Sequence, residues 1–311
     1  MGKSRLTTGQ QIRSLWALGG LTVPQFAADV WRKVNRDDVL GRAGQLAYGF
    51  FLSIFPLLLF LISVFGVLAS RGTALRTQLF NALDQALPPA AFRLTSRTVN
   101  EIIASSGGGK TLFGALFFLW SATTATTTMM SVLNAAYHVY DARPWYKVRL
   151  VALGLTLCLC ILVVVALTLV LFGGQLADLL SRKVGAGSMV LDSWKALQWI
   201  LALFALSLSF SLIYYFGPDV KEQHWYWITP GSVVGVLLWF LCSLGFRAYL
   251  RFFNNYNKTY GSLGTVIILL LWLYVTGLAF LLGGEINASI EHAAAERGHP
   301  EAKAEGEKKA A

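Results

Sequence analysis

Between residues 121 and 134 seven side chains able to hydrogen-bond follow one another at helical spacing: Ser121, Thr123, Thr124, Thr127, Thr128, Ser131 and Asn134. At 100° per residue they fall within an arc of about 160°. Ala122, Ala125, Met129, Val132 and Leu133 occupy the opposite half, and Thr126 alone breaks the pattern. Hydroxyls and a carboxamide are poor acids and bases near neutral pH, so such a face binds and aligns. It serves either close helix packing, where small and hydroxyl residues let backbones approach, or a polar lining for a cavity or substrate path. Both roles turn the face inward. The candidate lining is Ser121, Thr124, Thr127, Thr128, Ser131 and Asn134. A second candidate is Glu285, an ionisable group at the end of an apolar run, where burial and pairing are at issue.

Ordinary catalytic machinery is missing. Gly107-Gly108-Gly109-Lys110-Thr111 resembles the end of a phosphate-binding loop, but Ala104 stands where that pattern needs its first glycine, and no strand precedes it. The four histidines, His138, His224, His292 and His299, lack metal-ligand spacing, and no nucleophile elbow or two-metal carboxylate cluster is present. The expectation is a protein without enzymatic turnover, catalytic residues, metal or cofactor.

Such side chains are held by elements made for lipid. Of 311 residues 55% are hydrophobic and 14% charged, against about 25% charged in a soluble domain. Six apolar runs stand out, at residues 46–69, 111–136, 150–177, 196–217, 225–246 and 262–284, none containing Asp, Glu, Lys or Arg. Each meets the roughly 20 residues that a spanning helix needs, and aromatics such as Trp145, Trp199 and Trp225 cluster near their ends as an interfacial belt would. The fold class expected is an all-α membrane protein, a six-helix transmembrane bundle across residues 46–287. Gly231 and Gly235 suggest close packing in the fifth span, and Pro56 should kink or disturb the first. Cys158, Cys160 and Cys242 lie inside the runs and read as small buried hydrophobes.

Outside the bundle, residues 1–45 read as a cytoplasmic segment without a cleavable signal. Its interfacial amphipathic helix opens near Thr22 and Pro24 and sets Phe26, Val30, Trp31 and Val34 against Gln25, Asp29, Arg32, Lys33 and Arg36. The extracytoplasmic loop 70–110 reads as helical, with Leu75, Leu79, Leu83 and Leu87 at helical spacing before Pro88-Pro89. Residues 288–311 read as a polar, disordered tail. Six spans put both termini on one side. That side carries 15 of the 26 Lys and Arg residues against 11 on the other, which favours the cytoplasm. The net charge of +10 flanks the apolar runs and is explained by anionic lipid headgroups. Membrane lipids are therefore the expected partners, with no nucleic acid.

These segments carry a resemblance. Leu46-Ala47-Tyr48 with Ser53-Ile54-Phe55-Pro56, Leu133-Asn134-Ala135-Ala136-Tyr137, Thr229-Pro230-Gly231, Tyr260-Gly261-Ser262-Leu263-Gly264, Leu271-Trp272-Leu273-Tyr274 and the stretch 283–287 resemble the YihY/BrkB family of bacterial membrane proteins. The similarity runs from about Asp37 to Asn287, with Gly284 and Ile286 where the family usually has Ala and Leu. It implies six helices in the bacterial inner membrane. Candidate functional or hinge positions are Gln45, Tyr48, Pro56, Tyr260, Glu285 and Asn287. Some members were once labelled ribonuclease BN, for which this sequence offers no metal-binding carboxylates or exposed acid–base histidines. Relatives linked to export of lipid or lipopolysaccharide precursors fit a bundle with a polar inner face. The expected function is transport of a lipid-like or envelope-precursor molecule. The alternative is a non-transporting scaffold whose outer loop binds a partner in envelope maintenance.

Overall fold

A computed structural model describes residues 16, 18–69, 108–184, 188–220, 228–252 and 262–297. The loop 70–107, Tyr260 and the tail beyond 297 lie outside these residues. After a short 3-10 turn at Leu18–Gly20, seven helices are described: α1 (Val23–Arg36), α2 (Val39–Ala69), α3 (Gly108–Ala136), α4 (Trp145–Val184), α5 (Ser188–Phe216), α6 (Pro230–Phe252) and α7 (Ser262–Glu296). The chain is an all-α membrane protein. Among the described residues five stretches are long and apolar enough to cross a bilayer: Leu116–Ala136, Trp145–Ala166, Leu197–Phe216, Pro230–Tyr249 and Val266–Glu296. The sixth expected span, residues 46–69, lies within α2, which continues through Pro56 to Ala69, and is not among the five.

Two compact units are distinguished, Met1–Tyr48 with Thr126–Ala311, and Gly49–Ala125. In the first, α4 packs on α5, α5 on α6 and α6 on α7. Lipid-facing positions are legible in α4, where Leu150, Leu157, Ile161 and Val164 are exposed at heptad-like spacing while Ala152, Leu155 and Thr156 are buried. Met130 of α3 joins Ala152 and Leu155 in one apolar cluster, and beside it the Thr126 and Thr156 hydroxyls lie 2.8 Å apart. In the second unit, Ser53 Oγ donates to the carbonyl of Gly49 (2.9 Å) and approaches that of Ser121 (3.4 Å).

Several boundaries move for identifiable reasons. The fifth expected span, 225–246, starts instead at Pro230, because Thr229 caps the helix: Ser232 N donates to Thr229 Oγ1 and Thr229 N to Ser232 Oγ, each at 3.1 Å, with proline at the first helical position. α4 has 40 residues, about 60 Å of helix, twice the hydrocarbon thickness, so it outruns the bilayer or tilts. α7 does not stop at 284. It continues to Glu296, with Ala288, Ile290, Ala293 and Ala294 buried where a disordered tail was expected. These residues pack under the turn at Leu18–Gly20. Gly19 (φ 61°) sits so close that a Cβ would lie 2.6 Å from the Ile290 carbonyl oxygen, and Arg297 donates to the Gly19 carbonyl.

α1 also departs from its expected face. Lys33 is buried and Trp31 is 70% exposed. The helix lies on the polar end of α7, so the buried lysine is matched by partners: its Nζ is 3.1 Å from His292 Nδ1 and 3.3 Å from Asp29 Oδ2.

Candidate functional site

Within the first unit the buried residues at the end of α3 include Thr126, Met130 and Leu133, followed by Tyr137 in the turn, at intervals of three and four. The hydroxyl arc is thus rotated from the inward position expected for it. Thr124 and Ser131 are exposed, Ser121, Thr127 and Thr128 are half-buried, and Asn134 is buried. Thr124 Oγ1 donates to its own helix at the Trp120 carbonyl (3.0 Å). Packing selects the buried residues: Met130 meets Ala152 and Leu155 of α4, Thr126 finds Thr156, and Leu133 lies against Gly217 and Gly284.

Three of the lining candidates nevertheless meet at one place. Thr127, Ser131 and Asn134 line a cavity of about 860 Å³ at the end of the first unit. The α1–α2 junction supplies Asp37 and Arg42, the end of α3 supplies His138 to Asp141, and the first turns of α4 supply Trp145, Val148 and Arg149.

Helix ends build these walls. α3 stops in a Schellman arrangement: Val139 N donates to the Asn134 carbonyl (2.9 Å) and His138 N to that of Ala135 (3.0 Å). His138 occupies the left-handed position (φ 56°), where glycine is usual and another residue costs about 1–3 kcal/mol. What its side chain gains is Asp37, whose Oδ1 is 3.1 Å from His138 Nε2 and 3.3 Å from Arg36 Nε. Arg42 Nε donates to the Asp37 carbonyl (2.7 Å).

Behind the cavity a second network closes the loop between α3 and α4. Asn134 Nδ2 donates to Asp141 Oδ2 (3.1 Å) and its Oδ1 accepts from Asp219 N (2.7 Å). Arg143 grips Asp141 with two donors, at 2.8 and 2.7 Å, and its Nη2 also reaches the Gly217 carbonyl at the end of α5 (2.9 Å). Partial burial opposes ionisation of Asp141, but Arg143 and Asn134 outweigh it and hold the carboxyl below the usual aspartate range.

Glu285 is 2% exposed, and its Oε2 has no hydrogen-bond partner among the described residues. Asp37, Lys33, Arg36 and Arg42 act on it electrostatically. Asn287 has a structural post: its Oδ1 accepts from Gly231 N (2.9 Å) and its Nδ2 donates to Thr229 Oγ1 (3.0 Å). Gln45 and Tyr48 are exposed on α2. Sequence reasoning missed Lys33, Asp37, Arg42, His138, Asp219 and His292. The available signal was Asp29, Lys33 and Asp37 at four-residue intervals, which put three charges on one helix face. No group of three or more metal-ligating side chains occurs among the described residues.

The virulence factor BrkB family matches residues 30–307. The chain belongs to the BrkB family. Among its relatives, the ribonuclease-like protein YfkH of Bacillus subtilis is 32% identical over 263 residues, covering 85% of this chain and 94% of YfkH. The UPF0761 membrane protein of Vibrio atlanticus is 27% identical over 273 residues, covering 86% and 82%. The UPF0761 membrane protein VV0203 of Vibrio vulnificus is 29% identical over 268 residues, covering 83% and 80%. No solved structure matches.

Two of the BrkB motifs acquire a joint meaning. Thr229-Pro230-Gly231 and the stretch 283–287 are halves of one α6–α7 crossing, where a Cβ on Gly231 would lie 2.1 Å from the Gly283 carbonyl oxygen. Tyr214 Oη donates to the Phe280 carbonyl (2.6 Å) beside it. This BrkB chain is a multi-pass bacterial membrane protein, and the ribonuclease-like name is only a historical label.

Proposed function

We propose that the chain takes part in transporting a lipid-like or envelope-precursor molecule across the bacterial inner membrane, without enzymatic turnover. The observation that carries this reading is the 860 Å³ cavity. Charged, hydroxyl and aromatic groups share its walls, and α4 exposes Leu150, Leu157, Ile161 and Val164 in the same unit. A headgroup in the cavity with acyl chains among such residues is the natural occupant of a mixed site. Volumes of about 300–1,000 Å³ suit small ligands.

Six crossings with cytoplasmic termini are part of the proposal. In its support, Gly19 lies against Ile290 and Arg297 at one end of the unit, which calls for an even number of crossings. α2 would add the sixth to the five apolar spans. The test is reconstitution of the purified chain in liposomes carrying labelled lipids or envelope precursors. Movement above protein-free liposomes is expected, and Ser131→Phe, which fills the cavity, should abolish it. No movement of any such molecule would overturn the reading.

A non-transporting scaffold is favoured by one observation, the full structural use of Asn134, both of whose amide atoms are bonded. Thr124→Val and Thr128→Val discriminate, since they remove hydroxyls at nearly constant volume. A carrier loses transport while remaining folded; a scaffold loses only stability, or nothing.

A further inference from the structure

We infer that the cavity binds the headgroup of an anionic phosphate ester that carries a free hydroxyl, of the phosphoglycerol or phosphosugar kind. This rests on the reading of the cavity as a headgroup site and gives that headgroup a chemistry.

Charge on the walls is unequally committed. Asp141 is gripped by Arg143, which stands behind it, and by Asn134. Asp37 Oδ1 meets His138 and Arg36. Arg42, by contrast, donates only through Nε to the Asp37 carbonyl, and its terminal nitrogens have no hydrogen-bond partner among the described residues. Arg149 is a second cation on the same wall. The cavity also abuts the first turn of α4, which contributes Trp145, Val148 and Arg149. The helix dipole there favours an anion. A planar guanidinium with its terminal donors unspent is the side chain best suited to phosphate oxygens.

The acceptor side adds selectivity. Asp37 is 92% buried, lines the cavity, and its Oδ2 has no hydrogen-bond partner among the described residues. A buried carboxylate oxygen without a donor is costly, and a ligand hydroxyl supplies that donor. Phosphate on Arg42 with a hydroxyl on Asp37 describes phosphoglycerol or a sugar phosphate; phosphocholine, which lacks any donor, satisfies only the first half. Thr127 and Ser131 complete a wall of hydroxyls around the ester.

Native mass spectrometry of the full chain tests this, with phosphatidylglycerol, phosphatidic acid and phosphatidylcholine as competing probes and glycerol 3-phosphate as the soluble one. Phosphatidylglycerol should be retained about tenfold over phosphatidylcholine, the worth of one charged hydrogen bond. Arg42→Gln and Arg149→Gln should each weaken retention of all three lipids, which share the phosphate. Asp37→Asn should abolish the advantage of phosphatidylglycerol over both phosphatidic acid and phosphatidylcholine. Ser131→Phe should block every probe, and supplies a variant that leaves the ion pairs intact. Displacement of lipid by millimolar glycerol 3-phosphate would assign the site to a soluble ester of the same chemistry; resistance assigns it to the lipid. Equal retention of all three lipids, or retention unchanged in both arginine variants, overturns the inference. If liposomes still show lipid movement in that case, the transport reading stands without it.

Discussion

Lys33 Nζ lies 3.1 Å from His292 Nδ1, both side chains buried and 259 positions apart in the sequence. The ammonium can donate only to an unprotonated ring nitrogen, which places the proton of a neutral His292 on Nε2. This contact fastens helix α1 to the end of α7. Lys33→Met should cost about 1–3 kcal/mol, because it leaves a buried acceptor unmatched. His292→Gln, which retains an acceptor, should cost less than His292→Leu. Thermal unfolding of the purified chain ranks the three, and protease sensitivity at Arg32 and Arg36 should rise in the same order.

His138 predicts an inversion of the usual ranking. His138→Ala keeps the left-handed backbone penalty and loses the contact with Asp37. His138→Gly loses the same contact but removes the penalty, so it should be the more stable variant by about 1 kcal/mol. Equal unfolding temperatures would show that the cap geometry is wrong.

The α6–α7 crossing tolerates no side chain. Gly231→Ala drives a methyl to 2.1 Å from the Gly283 carbonyl oxygen, and Gly283→Ala meets Tyr214 Oη and the Gly231 carbonyl oxygen. Overpacking typically costs about 1–3 kcal/mol and rises when backbone must move. Folded yield should collapse in both variants. Gly154→Ala and Gly245→Ala, with open space around the added carbon, should purify as the parent does.

Asp141 gives a pH window. Its carboxyl titrates lower in the folded chain than in the unfolded one, so its contribution to stability is complete above the ordinary aspartate value. It disappears as the pH falls through the lowered folded value. The difference in unfolding temperature between the parent and Asp141→Asn should be constant from neutral pH down to about 5 and shrink below about 4. A difference that grows on acidification contradicts the arrangement around Arg143.

How far the sequence carries depends on whether a signal is local. Long apolar runs are local, so the helices and the membrane were legible from them, as were the start of a helix at Thr22–Pro24 and the packing role of Gly231. Partner identity is not local. Lys33 reads as a solvated charge until His292, at the far end of the chain, is brought beside it. A helical wheel also fails to choose between two well-formed arcs on α3: the hydroxyl arc is regular, yet packing against Ala152 and Leu155 selects Met130. Thr126, which broke the pattern, is the hydroxyl that pairs across the interface. Asn134 was legible as polar and inward, but its double use, towards Asp141 and Asp219, needed the loop geometry. Glu285 was legible as an ionisable group beside an apolar run, but not at a helix end: α7 continues past it to Glu296 and encloses it.

The closeness of Gly19 to Arg297, 278 positions away, sets a timetable for biogenesis. At about 5–20 residues per second, α1 leaves the ribosome roughly 10–60 s before its seat on α7 exists. During that interval Lys33 and Asp29 have neither His292 nor the rest of α7 to bury them. The turn at Leu18–Gly20 can be laid down only after the last helix has been inserted, so its protection from protease marks the completed chain.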